Sequence, residues 1–236
     1  MPALRGASIL ITGANRGIGR ALLEEALDRG AQQVYAATRG YFAHPDERVT
    51  HLPVDVTDAA QVRQAARQVP TLDILVNNAG VGLLDDLTDR AVLEHHLAVN
   101  LFGTYHVTQA FLPQLTRSRG AVVNNLSVSA LAPLPIIPAY SISKAAAFSL
   151  TQSQRVLFAE REVTVHAVFT GPTETDMSRG FDAPKASPES VARAIFDGVE
   201  KREEDIFPDS MSQTLAVGWH DSPAKTLERE YSGTTA

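Results

Sequence analysis

The chain of 236 residues contains no cysteine. This absence excludes disulfide bonds, a catalytic thiolate and cysteine-ligated zinc. It fits a reducing compartment, so we expect a cytoplasmic location. Long apolar runs are also missing, because no stretch approaches the roughly 20 residues that a membrane helix needs. The first apolar run is short and leads straight into a glycine turn, so the sequence predicts neither a secretory signal nor a membrane interaction.

Positive charge is in deficit as well. There are 21 Lys and Arg residues against 27 Asp and Glu residues, which gives a net charge of −6. A nucleic-acid-binding surface needs clustered basic side chains, so we expect no nucleic-acid partner. The adjacent His95 and His96 point to different faces of a predicted helix, and neither has a second histidine four residues away. No metal site is predicted.

The chain does contain regularly alternating strand and helix patterns. Short apolar segments predict strands at 8–12, 34–38, 49–54, 72–76, 121–126, 163–169 and 205–208. Helical spacing predicts helices at 18–29, 58–68, 89–116, 139–162 and 187–201. This order is typical of an α/β fold, and it predicts a Rossmann-like, doubly wound parallel sheet with helices on both faces. Without an internal repeat or linker, residues 1–236 are expected to form a single domain.

A glycine-rich turn joins the first predicted strand to the first predicted helix. Glycines permit a tight turn and a close approach of backbone to a pyrophosphate, while the helix N-terminus offers free N–H groups. The turn therefore predicts a dinucleotide-binding domain. Its spacing differs from G-x-G-x-x-G, so an ordinary strand-to-helix turn is the alternative. The residues assigned to the cofactor here are Gly13, Asn15, Arg16, Gly17, Ile18 and Gly19.

The end of the second predicted strand distinguishes NAD from NADP. A carboxylate there would bind a ribose 2′-hydroxyl, whereas arginine accommodates a 2′-phosphate. The sequence has Arg39 and no carboxylate at this point, and Arg16 can approach the same phosphate from the glycine turn. Guanidinium groups match phosphate oxygens with two parallel hydrogen bonds. NADPH is therefore predicted rather than NADH, and the alternative is that both arginines are solvated surface residues.

Tyr140 and Lys144 lie four residues apart near the start of a predicted helix and share one of its faces. A phenol with its ordinary pKa of about 10 transfers protons poorly at neutral pH. A neighbouring ammonium lowers such a pKa, so we predict that Lys144 brings the pKa of Tyr140 closer to the working pH. Taken alone, such a spacing is more often an exposed pair on a helix surface than a catalytic pair.

Several motifs occur in an order that resembles the short-chain dehydrogenase/reductase family. They are the glycine turn, Asn77-Asn78-Ala79-Gly80, Asn100, Ser127 and the Tyr140/Lys144 pair. The resemblance extends from about residue 7 to residue 177, or about three-quarters of the chain. It implies an NAD(P)-dependent oxidoreductase that reduces a ketone or aldehyde to an alcohol by reversible hydride transfer.

The resemblance implies a role for each catalytic candidate. Tyr140 would be the general acid for reduction and the base for oxidation, and Lys144 would lower its pKa and hydrogen-bond the nicotinamide ribose. Ser127, thirteen residues before the tyrosine, would donate a hydrogen bond to the carbonyl oxygen, with Ser129 as the competing candidate. Asn100 would hold a water that links the lysine to solvent, and the alternative is a structural role in bending its helix.

The resemblance also implies the remaining cofactor contacts. Asp55 and Val56 would contact the adenine, and the loop after the sixth strand would approach the nicotinamide and pyrophosphate. In this loop Thr170 replaces the proline that is usual in the family. The full set of these further contacts is Asp55, Val56, Asn78, Ala79, Gly80, Tyr140, Lys144, Gly171, Thr173 and Thr175.

The segment of about residues 172–187, with Met177 and Phe181, corresponds to the family's substrate loop. Together with the apolar residues 131–138, it predicts an apolar carbonyl or alcohol substrate, unless these side chains only pack the loop. The tail of about residues 205–236 lacks the family's usual Asp-Gly-Gly segment. Its amphipathic part, 212–220, could cap the site or bind another subunit, and the last residues, 232–236, are expected to fray. A homo-oligomer is expected, with a dimer through the two long helices favoured over a tetramer.

Two other functions remain compatible with these motifs. One is an NADP(H)-binding sensor or regulator that keeps the fold without turnover. The other is a halohydrin-type lyase on the same fold, although that chemistry favours arginine where this chain has Lys144.

Overall fold

The computed structural model of the protein describes residues 4–232. Seven parallel strands form one sheet in the order β3-β2-β1-β4-β5-β6-β7. The strands are β1 Ser8–Thr12, β2 Gln33–Thr38, β3 Val49–Pro53, β4 Ile74–Asn77, β5 Ala121–Asn125, β6 Thr164–Val168 and β7 Asp205–Ile206. The predicted Rossmann-like fold class is confirmed. The sequence also predicts that residues 232–236 fray. Of this segment only the backbone of Ser232 is described, so the rest of it lies outside the described residues.

Helices cover both faces of the sheet. They are α1 Gly17–Asp28, α2 Ala59–Gln68, α3 Arg90–His96, α4 Thr104–Ser118, α5 Pro138–Ala159, α6 Pro188–Glu200, α7 Ser210–Trp219 and α8 Pro223–Ser232. The side chain of Asp58 caps the start of α2 by accepting hydrogen bonds from the N–H groups of Ala60 and Gln61. The last helix, α8, has no counterpart in the sequence prediction.

The segment predicted as one helix over residues 89–116 is helical from Arg90 to Ser118, but it is not α-helical throughout. The chain forms α3, then a π-helical turn at Leu97–Gly103, and only then α4. A π-helical turn is wider than an α-helical one and often occurs at functional sites. Here it contains Asn100, whose side chain turns away from the helix to hydrogen-bond the backbone of Val81. Its end is tightly packed, because a Cβ at Gly103 would lie 2.7 Å from a methyl carbon of Val56.

The apolar core has two layers, one on each side of the sheet. Successive strand residues point to opposite faces, so Ile9 and Ile11 pack with α1 and α6. Leu10 lies between them and packs on the other face, with Phe111 of α4 and Phe158 of α5. Every residue of β1, β4 and β5 is buried, as expected for parallel strands covered by helices on both faces.

The strand order reverses between β1 and β4. The chain proceeds outward from β1 to β3 and then returns to add β4 on the other side of β1. The loops that follow β1 and β4 therefore diverge and leave a crevice at the carboxyl ends of the strands. Ligands bind at such a switch point in open α/β sheets.

A buried ionic cluster fastens the C-terminal helices to the edge of the sheet. Lys225 of α8 is 2% exposed and contacts Asp205 of β7 at 2.8 Å and Glu228 at 3.1 Å. Arg155 of α5 contacts Asp205 from the other side at 2.9 Å, and the indole of Trp219 donates to the same carboxylate. Burial by itself would lower the pKa of Lys225, but its hydrogen bonds to the carboxylates raise it. The cluster thus holds its ions in the charged form.

Replacing Lys225 by methionine should destabilise the protein. Removing one partner of a buried ionic cluster leaves uncompensated charge and costs about 3 kcal/mol. In a chain of this length that corresponds to a fall in Tm of about 6–12 °C. Thermal unfolding at pH 7 tests this, with Lys201→Met at the exposed end of α6 as the control. Equal Tm values for the two variants would contradict the stabilising role of the cluster.

Candidate active site

A continuous cleft of about 1400 Å³ lies along the carboxyl edge of the sheet. This volume exceeds the roughly 300–1,000 Å³ of an ordinary small-molecule pocket, as expected for a dinucleotide and a second molecule. The cleft is lined by the loops that follow β1 to β6. Every residue that the sequence assigned to catalysis or to the cofactor lines it, except Asn100. The fold therefore brings together side chains that are up to 162 positions apart, from Gly13 to Thr175.

The glycine turn is packed so closely that larger residues would not fit. Gly13 and Gly17 have φ values of 68° and 53°, in the left-handed region that favours glycine. A Cβ at Gly19 would lie 2.1 Å from the carbonyl oxygen of Gly13. No side chain caps the first turn of α1, so its N–H groups are available to a ligand. This bare cradle at a helix N-terminus fits the pyrophosphate of a dinucleotide.

Hydrogen bonds hold the two diverging loops in place. The hydroxyl of Thr12 accepts from the backbone N–H groups of Asn78 and Ala79, both at 2.9 Å. The side chain of Asn78 donates to the carbonyl of Thr12 at 3.0 Å and accepts from the amide of Asn125 at 3.0 Å. The loop that borders the glycine turn is thus fixed from both neighbouring strands, which leaves the floor of the cleft rigid.

The two arginines predicted to favour NADPH lie at the rim of the cleft. Arg39 follows the end of β2 with an exposed side chain. Arg16 in the glycine turn contacts Asp176 of the substrate loop, with 3.2 Å between Nη1 and Oδ2. The carboxylate of Asp55, which follows β3, is occupied by the N–H and hydroxyl of Thr57 at 2.9 and 2.7 Å. The rim therefore presents guanidinium groups to an incoming ligand.

Ser127, Tyr140 and Lys144 meet at the inner end of the cleft. Lys144 is 5% exposed, and its Nζ donates to the carbonyl of Asn125 at 2.8 Å and lies 5.7 Å from the centre of the Tyr140 ring. The side chain of Ser127 is close enough to the phenol to lower its pKa, while the backbone N–H of Ser129 donates to the hydroxyl of Ser127. Of the two competing serines, the geometry favours Ser127 as the group beside the phenol.

The pKa of Tyr140 does not follow the sequence prediction. Burial raises the pKa of its phenol, and the hydrogen bond from Ser127 only partly opposes that increase. Burial also lowers the pKa of Lys144 to about 8. The prediction that Lys144 lowers the pKa of Tyr140 is therefore wrong for the protein without a bound cofactor. Both side chains lie in one part of the cleft, where burial disfavours the charged form of each.

Asn100 lies behind the cleft, in the π-helical turn. Its Oδ1 accepts from the N–H of Val81, and its Nδ2 donates to the carbonyl of Val81 and to the hydroxyl of Ser143, all at 2.9 Å. A Cβ at the adjacent Gly80 would lie 3.3 Å from its Oδ1 and 3.8 Å from the Nζ of Lys144. These contacts position the loop after β4. The predicted water-holding role of Asn100 stays a prediction.

The loop after β6 is attached to α7. The N–H of Gly171 donates to the carboxylate of Asp209, the N-cap of α7, at 2.7 Å. A Cβ at this glycine would lie 2.5 Å from the same carboxylate, which explains the need for glycine. Thr170, in place of the family's proline, donates to the side chain of Asn125 at 2.6 Å. Thr173 and Thr175 line the cleft beyond it, as expected from the resemblance.

The outer end of the cleft is apolar. Large side chains from four segments line it while remaining 42–79% exposed. They are Leu83, Leu84, Ile136, Met177, Met211 and Leu215. Met211 and Leu215 belong to α7. Leu215 lies in the segment 212–220, which the sequence predicted could cap the site, whereas Met211 lies just outside it and was missed. Another missed residue is His96, which is buried beneath this wall while His95 is exposed.

Within residues 4–232, no group of three or more His, Asp or Glu side chains is placed to hold a metal ion. In the same range, no helix has the length and hydropathy needed to cross a membrane.

Comparisons with known proteins identify the family. A family model described as short chain dehydrogenase matches residues 7–186. Oxidoreductase UcpA of Salmonella typhimurium is 33% identical over 219 residues, covering 83% of this chain and 82% of the relative. Short-chain dehydrogenase/reductase 3 of Homo sapiens is 30% identical over 254 residues, covering 96% and 83% of the respective chains.

A solved structure extends the likeness to the whole fold. The short chain dehydrogenase from Burkholderia cenocepacia J2315, in complex with NADP, superposes with a TM-score of 0.89 at 32% identity. The match covers 97% of this chain and 98% of that chain. With the Rossmann-like sheet, the glycine cradle and the Ser127, Tyr140 and Lys144 group in one cleft, this chain belongs to the short-chain dehydrogenase/reductase family and is an NAD(P)-dependent oxidoreductase.

Proposed function

We propose that the protein is an NADPH-dependent reductase that converts an apolar ketone or aldehyde to an alcohol, and that also catalyses the reverse reaction. One observation carries the proposal: the phenol of Tyr140 and the hydroxyl of Ser127 meet between the glycine cradle and the apolar end of one cleft. A substrate carbonyl entering from the apolar end would meet both groups beside the site that fits a dinucleotide.

Bound NADPH would supply the hydride. Ser127 would donate a hydrogen bond to the substrate oxygen and hold it within reach of Tyr140. Because burial raises the pKa of Tyr140, the phenol keeps its proton at neutral pH and can pass it to the oxygen as the alcohol forms. In oxidation the same oxygen would return the proton to the tyrosine. Lys144, whose ammonium is charged below a pH of about 8, would hold the ribose hydroxyls of the cofactor.

The preference for NADPH over NADH is supported by charge at the rim. Arg16 and Arg39 both present guanidinium groups to the cleft. A 2′-phosphate would form charge-assisted hydrogen bonds with them, which a 2′-hydroxyl would not. The relative from Burkholderia cenocepacia was solved in complex with NADP.

The apolar substrate is supported by the six exposed side chains at the outer end of the cleft, since exposed apolar surface of this kind marks a binding groove.

We also infer a homodimer through α4 and α5. Large apolar side chains on these helices and the π-helical turn are exposed by 41–68%: Phe102, Tyr105, Ile142 and Leu157.

Replacing Tyr140 by phenylalanine should lower kcat by about 10²–10⁴-fold, the usual contribution of a general acid. The Kd for NADPH should change little, because the ring remains in place. Oxidation of NADPH across a panel of ketones and aldehydes measures the first quantity, and calorimetry measures the second. Ser127→Ala should lose more activity than Ser129→Ala. If wild-type protein binds NADPH but turns over no carbonyl compound, a sensor function replaces the proposed one.

Replacing Arg39 by alanine should weaken the binding of NADPH far more than that of NADH. Loss of a charge-assisted hydrogen bond, about 1.5–3 kcal/mol, corresponds to a roughly 10–100-fold increase in the NADPH Kd. Calorimetric titration with each cofactor tests this. Arg90→Ala, an exposed arginine of α3 paired with Glu94 outside the cleft, is the matched control. Equal losses for both cofactors would contradict the assignment of Arg39 to the 2′-phosphate.

Replacing Lys144 by methionine should stabilise the protein at pH 7 while impairing cofactor binding. The folded protein lowers the lysine pKa from 10.5 to about 8, so burying the ammonium costs about 3 kcal/mol below pH 8. Loss of the hydrogen bond to Asn125 destabilises the variant by about 1 kcal/mol. We therefore expect its free energy of unfolding to exceed that of the wild type by about 2 kcal/mol.

The pH dependence of that gain provides a second test. Between pH 8 and 10.5 the unfolded chain binds more protons at Lys144 than the folded chain, so wild-type stability rises through this window. The methionine variant lacks this rise, and the gain should disappear by about pH 10.5. Denaturant unfolding at several pH values measures it. A methionine variant that is less stable at pH 7, or a difference independent of pH, would show that the buried charge is not costly.

A further inference from the structure

His96, the last residue of α3, is completely buried beneath the loop that leaves β4. Its Nε2 accepts a hydrogen bond from the backbone N–H of Leu83 at 3.0 Å, and its Nδ1 lies 2.8 Å from the carbonyl oxygen of Val92. A carbonyl only accepts and a backbone N–H only donates, so the ring proton must be on Nδ1. Both ring nitrogens are therefore used, and only one tautomer satisfies them.

The loop above His96 forms the wall of the cleft beside the phenol. Asn100 holds Val81 by two hydrogen bonds, and His96 holds Leu83, two residues further on. Between them, a Cβ at Gly82 would lie 3.5 Å from the Tyr140 ring. It would also lie 3.2 Å from the sulfur of Met177 in the substrate loop. Gly82 therefore lies between the phenol and the substrate loop, and a larger residue at this position would press against both.

The imidazole also contacts the tyrosine itself. The ring centres of His96 and Tyr140 are 6.3 Å apart, and the planes meet at 73°, an edge-to-face arrangement. One side chain therefore touches both the wall of the cleft and the back of the phenol. The cofactor side of the same loop is held separately, because Thr12 binds the N–H groups of Asn78 and Ala79.

We propose that His96 is a positioning residue for the substrate. By holding the Leu83 N–H, it sets the distance between the loop wall and Tyr140, and so determines how well a carbonyl compound is seated against the phenol. It does so without touching substrate or cofactor. The proposal rests on the reductase function proposed above, since it concerns the substrate end of that site.

Two variants separate the hydrogen bond from the ring. Both His96→Gln and His96→Asn remove the imidazole and its contact with Tyr140. In glutamine, Oε1 can reach the place of the Nε2 acceptor, whereas the asparagine amide reaches only the place of Nδ1 and faces Val92. Hydrogen exchange at the Leu83 amide in the full chain tests the contact without any need for activity. We expect exchange about tenfold faster in the asparagine variant and close to wild type in the glutamine variant.

Steady-state kinetics with the most active carbonyl compound of the panel tests the consequence. The asparagine variant should show about a tenfold higher KM with a smaller change in kcat, and the glutamine variant should recover most of the wild-type KM. The NADPH Kd should stay close to wild type in both. If the asparagine variant does not fold, His96→Phe keeps a ring beside Tyr140 without an acceptor, and it should reproduce the fast exchange and the raised KM.

Equal exchange of Leu83 in the glutamine and asparagine variants would overturn the proposed contact. Different exchange with equal KM values would overturn the effect on the substrate. A parallel loss of NADPH affinity would assign the residue to general folding of the cleft instead. Absence of turnover in wild-type protein would overturn the proposed reductase function, whereas the exchange measurement would still decide whether His96 holds the loop.

Discussion

The hydrogen bonds of Asn125, at the carboxyl end of β5, hold the site together. Its backbone carbonyl accepts from the Lys144 ammonium, its side-chain oxygen accepts from Thr170, and its side-chain nitrogen donates to Asn78. One residue thereby joins α5 to the loops after β4 and β6. These loops follow different strands, so the hydrogen bonds of Asn125 connect segments that are far apart in the sequence. The positions of Lys144, of the loop beside the glycine turn and of the loop after β6 all depend on this junction.

The position of Lys144 at this junction lowers the stability of the folded protein, because its ammonium group is buried. Lys144 is charged at neutral pH inside a pocket that lowers its pKa to about 8, and the Asn125 carbonyl compensates only part of the lost hydration. The pocket also raises the pKa of Tyr140, so the phenol keeps its proton at neutral pH but is a weaker acid than an exposed tyrosine. Proteins often keep such strained or costly groups where activity requires them. The substrate end is held by a different device, a π-helical turn preceded by His96, which contacts the loop wall and the phenol together.

Much of the fold and most of the candidate site can be read from local sequence signals. Strand and helix order follows from hydrophobic periodicity, and the buried parallel strands have nearly continuous apolar runs. The glycine turn is visible because a pyrophosphate cradle needs residues without a Cβ, and Tyr140 and Lys144 are visible because four residues make one helical turn. The order of these motifs then predicts the family, which the comparisons confirm.

What the sequence by itself determined is therefore the α/β architecture, the family and the candidate catalytic and cofactor residues, most of which line the cleft. Only the tertiary structure decided that Leu97–Gly103 is π-helical and not α-helical, because the Asn100 amide turns to a loop nineteen residues away in sequence. The same holds for the raised pKa of Tyr140, the apolar wall from α7 and the buried position of Lys225. Desolvation and hydrogen bonding depend on which distant segments exclude water from a side chain, and no local pattern encodes that.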